Sequence, residues 1–202
     1  MEFSSKNVET KANKTFAPSA YLGYGVHELK INNMEIEHAK TTGSPRVVFS
    51  MEGRPVKDPN FQGLEGCKGQ VARVRSTFMK TEEQQREFVE KLTAMAEAMG
   101  VRSELDKIES NNIEDYVKQA TGVLCGNWAR FCVATEQYLT TEGKTKDSFV
   151  FPRFNFVESI DTKESKLKFD KNATYHFRPA VKPDSDTVGT AVSADAAEDL
   201  PF

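Results

Sequence analysis

Apolar and polar residues alternate from Tyr21 to His38, with Leu29 and Ile31 on odd positions and Met34 and Ile36 on even ones. Period two marks a strand with one buried face, and the phase change at Asn32-Asn33 marks a bulge that bends it. A second run, Arg46 to Glu52, puts Val47, Phe49 and Met51 on one face. Gly53 to Gly69, with Pro55, Pro59 and its glycines, is a loop. In a third strand, Gln70 to Phe78, Ala72, Val74 and Phe78 stand opposite Arg73 and Arg75. The period then changes. Phe88, Val89, Leu92, Met95, Ala96 and Met99 recur at helical spacing up to Gly100, behind a capping box of Thr81 and Gln84. Ser103 to Glu109 and Ile113 to Ala120 read as shorter helices, the latter stopped at Gly122. Alternation returns at Asn127 to Tyr138, where Ala129, Phe131 and Val133 oppose Trp128, Arg130, Cys132 and Tyr138. A polar hairpin loop over 139–147 leads to a fifth strand, Ser148 to Val157, dense in phenylalanine. Ser165 to Phe169 adds one more strand or packs as a flap.

The order strand, strand, strand, helix, strand, strand is that of a small five-stranded barrel of the oligonucleotide/oligosaccharide-binding (OB) type, whose helix closes one end between strands three and four. The expected fold is therefore mainly β, an OB-fold-like barrel with a helical insertion over about 81–122. The bent first strand fits it, since that strand must pair with two neighbours at different angles. A polar stretch, 1–15, reads as a flexible N-terminal arm, 16–178 as the folded body, and 179–202 as a disordered tail whose Pro, Asp, Ser, Thr and Ala cannot form a core.

Charge sharpens that division. The 202 residues carry a net −3, but five acids against the single Lys182 put −4 on the segment after Ala180, which leaves +1 for the rest. A near-neutral body binds nucleic acid only if its cations share a face. Three cysteines without a C-x-x-C pair argue against a disulfide framework or a zinc site and for a reducing, cytoplasmic setting. No apolar run approaches membrane-spanning length. His27, His38 and His176 are isolated, and Gly63 to Gly69 lacks the lysine-hydroxyl pair of a phosphate loop, so no catalytic or cofactor signature emerges.

What remains is a pattern of rings and cations. Binding of single strands without base selectivity needs aromatic platforms for bases and cations for phosphates. Trp128 and Arg130 alternate on one strand face with Tyr138 further along it, Arg73 and Arg75 do so on another, and Phe151 with Arg153 repeats the pairing on the last strand. Lys144 and Lys146 lie in a hairpin loop that could reach over a bound strand. The competing reading of each phenylalanine is core packing, and of each cation an ordinary solvated charge.

The chain closes on Glu198-Asp199-Leu200-Pro201-Phe202. Two acids, a stiff proline and a terminal ring read as a short ligand for an apolar pocket with a basic rim. This tip resembles the acidic tip of the single-stranded DNA-binding protein family, and an OB-like body followed by a polar linker repeats that family's layout. The body lacks the strand motifs of the common bacterial members, and its helical insertion is long for them, so it looks like a divergent, phage-type member. The resemblance implies a non-enzymatic protein that coats single-stranded DNA during replication, recombination and repair, and recruits partner proteins through residues 198–202. The alternative is an interaction or assembly protein whose tip docks a partner without DNA binding.

Overall fold

The computed structural model describes residues 23–55 and 70–180. Five strands, β1 (Gly25–His38), β2 (Pro45–Pro55), β3 (Gln70–Arg75), β4 (Trp128–Leu139) and β5 (Thr145–Val150), close into a ring in the order β1-β2-β3-β5-β4-β1. This is the OB-type order that the element pattern predicts, drawn into an irregular ring rather than a regular barrel. The irregularity has a place. Parallel pairing of β3 with β5 is limited to Val74 with Phe149 and Arg75 with Val150, so the ring is held by a short seam there.

β1 carries the predicted bulge. Its register with β2 shifts between Ile31 and Asn33, and the bend lets Gly25 to Lys30 pair with β4 while His27 to His38 pair with β2. Leu29, Ile31, Val47, Phe49, Met51, Val74, Ala129, Phe131 and Val133 fill the interior from four strands. The inward face of β4 is therefore the one that its alternation indicates.

Helix α1 (Glu82–Ala98) closes the ring, burying Phe88, Leu92, Met95 and Ala96. Burying a large apolar side chain stabilises by roughly 1.5–3 kcal/mol. Its N-terminus has the expected capping box, Gln84 N–H donating to Thr81 Oγ1 at 3.3 Å and Thr81 N–H to Gln84 Oε1 at 3.2 Å. At its other end Gly100, at φ 74°, donates to Glu97 O, and Val101 N–H reaches Ala96 O, the paired bonds of a Schellman stop. A short α2 (Arg102–Leu105) and then α3 (Ile113–Leu124) follow. Gly122 does not end α3. Val117, Ala120 and Leu124 form its buried stripe, whose packing outweighs the cost of about 1 kcal/mol of an interior glycine. The chain turns into β4 at Gly126 instead, with φ 88°.

The last strand also departs from expectation. It starts at Thr145, three residues earlier, and ends at Val150, because Pro152 has no N–H to continue a ladder. The chain then pairs briefly with β4 as β6 (Val157–Glu158), crosses as an irregular flap, and returns as β7 (Phe177–Arg178), again beside β4. Residues 165–169 are flap, not strand. Leu167 covers Val26 and Cys132 on the outer side of the sheet, and Phe169 stacks on Tyr24 at 5.0 Å and on His176 at 5.4 Å. Burial pushes the Cys132 thiol up to about 12. The proposed arm (1–15), most of the 53–69 loop and the tail beyond Ala180 lie outside the described residues.

Candidate nucleic-acid interface

The flap changes the meaning of the outer face of β4. Arg130 is buried beneath it, with Nη1 donating to Glu158 Oε1 at 2.7 Å and to Thr162 O, and Nη2 donating to Ile160 O. Glu28 lies 3.6 Å away on the other side. The sequence places Arg130 on the outer face, but residues 158–162 cover that face and take up its Nη donors, so that it clamps the flap. Phe151 is a core residue rather than an exposed platform. It leaves β5 into the core, 7% exposed, with its ring against Phe49, Phe131 and Phe156 at 5.3–5.5 Å.

Trp128, half-buried at the start of β4, has Lys30 Nζ 5.7 Å from its ring centroid, and Lys30 pairs with Glu52 at 3.1 Å. Arg73 and Arg75 project from the outer face of β3 as predicted, but into carboxylates of β1. Arg73 donates to Glu35 at 3.0 Å. Glu37 Oε2 accepts two bonds from Arg46, at 3.0 and 2.9 Å, and Arg75 reaches the same oxygen only at 4.0 Å. Glu35 and Glu37 are thus counter-ions of the sheet's arginines.

The seam between β3 and β5 opens into a cleft of about 240 Å³. Its floor is Phe49, Phe88, Met95 and Phe151; its walls come from β3, α1, the end of β5 and the segment before β7. Four cations from four parts of the chain line it: Arg75, Lys91, Arg153 and Arg178. Two acids stand among them. Arg153 Nη2 donates to Glu87 Oε1 at 3.0 Å, and Glu136 lies 3.9 Å from Arg178 across the β4–β7 pairing. Burial pulls the Lys91 ammonium down, Glu87 opposing and Arg153 adding to the effect. Burial pushes the Glu136 carboxyl up, against the pull of Arg178.

Register extends this site along the β4–β5 hairpin. Arg75 faces Val150, Val150 faces Ala134, and two further steps bring Glu136 with Ser148 and Tyr138 with Lys146 onto the same face. Lys144, at the hairpin turn, pairs with Glu142 at 2.8 Å. Among the described residues the large apolar side chains left exposed are Tyr138, Phe154 and Tyr175, at 39%, 71% and 67%. Tyr175 lines the cleft, and the Arg153 guanidinium sits 5.4 Å from the Phe154 ring. The fold therefore joins Arg75, Arg153, Tyr138 and Lys146 of the sequence-derived set, with Phe151 beneath them in the floor. It leaves Trp128 at the far end of β4, and adds Lys91, Phe154, Tyr175 and Arg178. A ring beside an arginine at Arg153-Phe154 was legible in the sequence; nothing in the alternation marks Tyr175 or Lys91. Residues 198–202 lie outside the described residues.

Among those residues no cluster of three or more His, Cys, Asp or Glu is placed to hold a metal ion, and no helix is long and apolar enough to cross a membrane. No protein-family model and no curated protein matches the chain. A solved structure described as yeast RPA bound to ssDNA aligns over 75% of this chain and 85% of its own, at 8% identity and a TM-score of 0.30, a likeness too slight to define a ligand.

Proposed function

We propose that this protein binds single-stranded DNA without base selectivity, and does no chemistry on it. The observation that carries the reading is the seam cleft, where four cations ring an apolar floor, exposed Tyr175 lines it, and exposed Phe154 sits against Arg153. Cations take phosphates and rings stack on unpaired bases, whichever the base. From the cleft the strand runs along the hairpin face to Tyr138 and Lys146. A duplex, whose bases are already stacked, has no use for the exposed rings.

In this reading the acidic tip, Glu198 to Phe202, recruits proteins of replication, recombination or repair, and Phe202 is its anchor. Fluorescence anisotropy of labelled dT oligonucleotides against a duplex of equal length tests the DNA half. Tight, salt-sensitive binding of the single strand is expected, and equal affinity for the duplex would refute it. If the chain binds neither, the assembly-protein reading takes its place. For the tip, a pull-down with Phe202→Ala should lose the partners that the full chain captures; unchanged capture would remove the recruiting role.

A further inference from the structure

The cations of the cleft are not free to receive a phosphate as they stand. Arg153 holds Glu87 at 3.0 Å and Arg178 faces Glu136 at 3.9 Å, while Arg75 leans toward Glu37 at 4.0 Å. Lys91 lies under the influence of Glu87 and Arg153 together. The carboxylates thus occupy the positions that phosphate oxygens would take beside the same guanidinium groups.

We infer that Glu87 and Glu136 are internal competitors of the phosphate backbone, so that single-stranded DNA enters the cleft by exchanging carboxylate for phosphate at Arg153 and Arg178. This rests on the DNA-binding reading of the cleft and deepens it. Exchange lowers affinity, because phosphate bound at Arg153 displaces a hydrogen bond to Glu87, and phosphate bound at Arg178 displaces its ion pair with Glu136. It also weakens the dependence on salt, since an arginine already neutralised adds less counterion release than a bare one. The acids therefore keep binding reversible and hold the arginines in place in the empty cleft. Net charge alone has no such local signature.

Anisotropy titrations of Glu87→Gln, Glu136→Gln and the double variant with a dT oligonucleotide, over a series of salt concentrations, test the inference. An exposed ion pair of ordinary strength corresponds to about a two- to fivefold gain in affinity for each acid removed. The slope of log K against log salt should steepen by up to roughly 0.7 for each phosphate newly engaged. Glu97→Gln is the control. It removes one negative charge from α1 but breaks a pair with Arg102, off the row of Glu87, Lys91 and Met95 that lines the cleft. A gain confined to the cleft variants supports exchange. An equal gain in Glu97→Gln assigns the effect to bulk charge and overturns it, as does unchanged or weaker binding by the cleft variants. Binding by the double variant alone also supports it, whereas binding by no variant, wild type included, removes both the inference and the function beneath it.

Discussion

Arg130 in β4 and Glu158 in β6 meet at 2.7 Å beneath the flap, both nearly closed off from solvent. Glu158 Oε2 also accepts the Lys166 N–H at 3.0 Å, and Arg130 donates to the carbonyls of Ile160 and Thr162. One ion pair thus ties down both arms of the 158–166 turn. Removing one partner of such a pair leaves the other charged, dry and unpaired, and costs about 3–5 kcal/mol. Arg130→Ala should lose that much stability in urea unfolding, while the affinity of its folded fraction for single-stranded DNA stays near wild type. Loss of affinity without loss of stability would return Arg130 to the binding surface.

Acid should loosen the same layer in two steps. His176 is buried with Nδ1 accepting the Asp170 N–H at 3.0 Å, which requires that nitrogen unprotonated. Burial lowers its pKa from 6.5, against the pull of Asp170. The unfolded chain therefore takes up this proton first, and stability falls as pH drops from 6.5 toward the folded value. At Glu158 burial works to raise the carboxyl, but the Ser165 hydroxyl, Arg130 and the Lys166 N–H outweigh it and hold it below 4.5. Its contribution is complete above 4.5 and is lost as pH falls from there through the folded value. Urea midpoints measured from about pH 7.5 to 3.5 check this. His176→Asn, which keeps an acceptor near the Nδ1 position, should shrink the upper step and leave the lower one, the remainder of the upper step belonging to His27, which burial also lowers.

Stacking should centre on Tyr175 rather than on the tryptophan. Trp128 and Glu136 are eight residues apart along β4, about 26 Å at the usual rise. Tyr175→Ala should weaken binding of a dT oligonucleotide by ~1–3 kcal/mol, the range for one stacked base. Trp128→Ala should cost less than Tyr175→Ala for an oligonucleotide short enough to occupy only the cleft and hairpin. The reverse ranking would move the strand to the Lys30–Trp128 end of the sheet.

Affinity should also respond to Glu136 through pH. Because burial raises its carboxyl, it should protonate before exposed acids do as pH falls, and release Arg178. Binding of the single strand should then strengthen as pH falls through that raised value, above the range in which exposed acids titrate, at constant salt, and Glu136→Gln should remove that rise. His176 and His27, both lowered by burial, also titrate below 6.5, so the measurement is repeated in His176→Asn and His27→Asn. A rise that survives in Glu136→Gln would sink the assignment.

Local pattern was enough for β1 to β4 and their inward faces, the bulge at Asn32 and both ends of α1, because each is written within a few residues, but it misplaced both ends of β5. Period two gives a face, a phase slip gives a bulge, and Thr81 with Gln84 or Gly100 satisfies a helix end nearby. Composition likewise separates the acidic end from a near-neutral body. What covers each face, by contrast, was set only by the folded arrangement. Arg130 and Arg73 both alternate outward with equal regularity, yet one is sealed under residues 158–162 and the other stands half in solvent, since the flap that distinguishes them carries no periodicity. Phe151 shares the inward face of Phe149 by alternation, yet only the folded core, where it meets Phe49, Phe131 and Phe156, shows that it does not stand beside Arg153 as a platform. Arg75, Lys91, Arg153 and Arg178 come from distant parts of the chain, and only closure of the ring at its short β3–β5 seam brings them around one cleft. Long-range pairing sets that meeting, and it leaves no pattern in any window of consecutive residues.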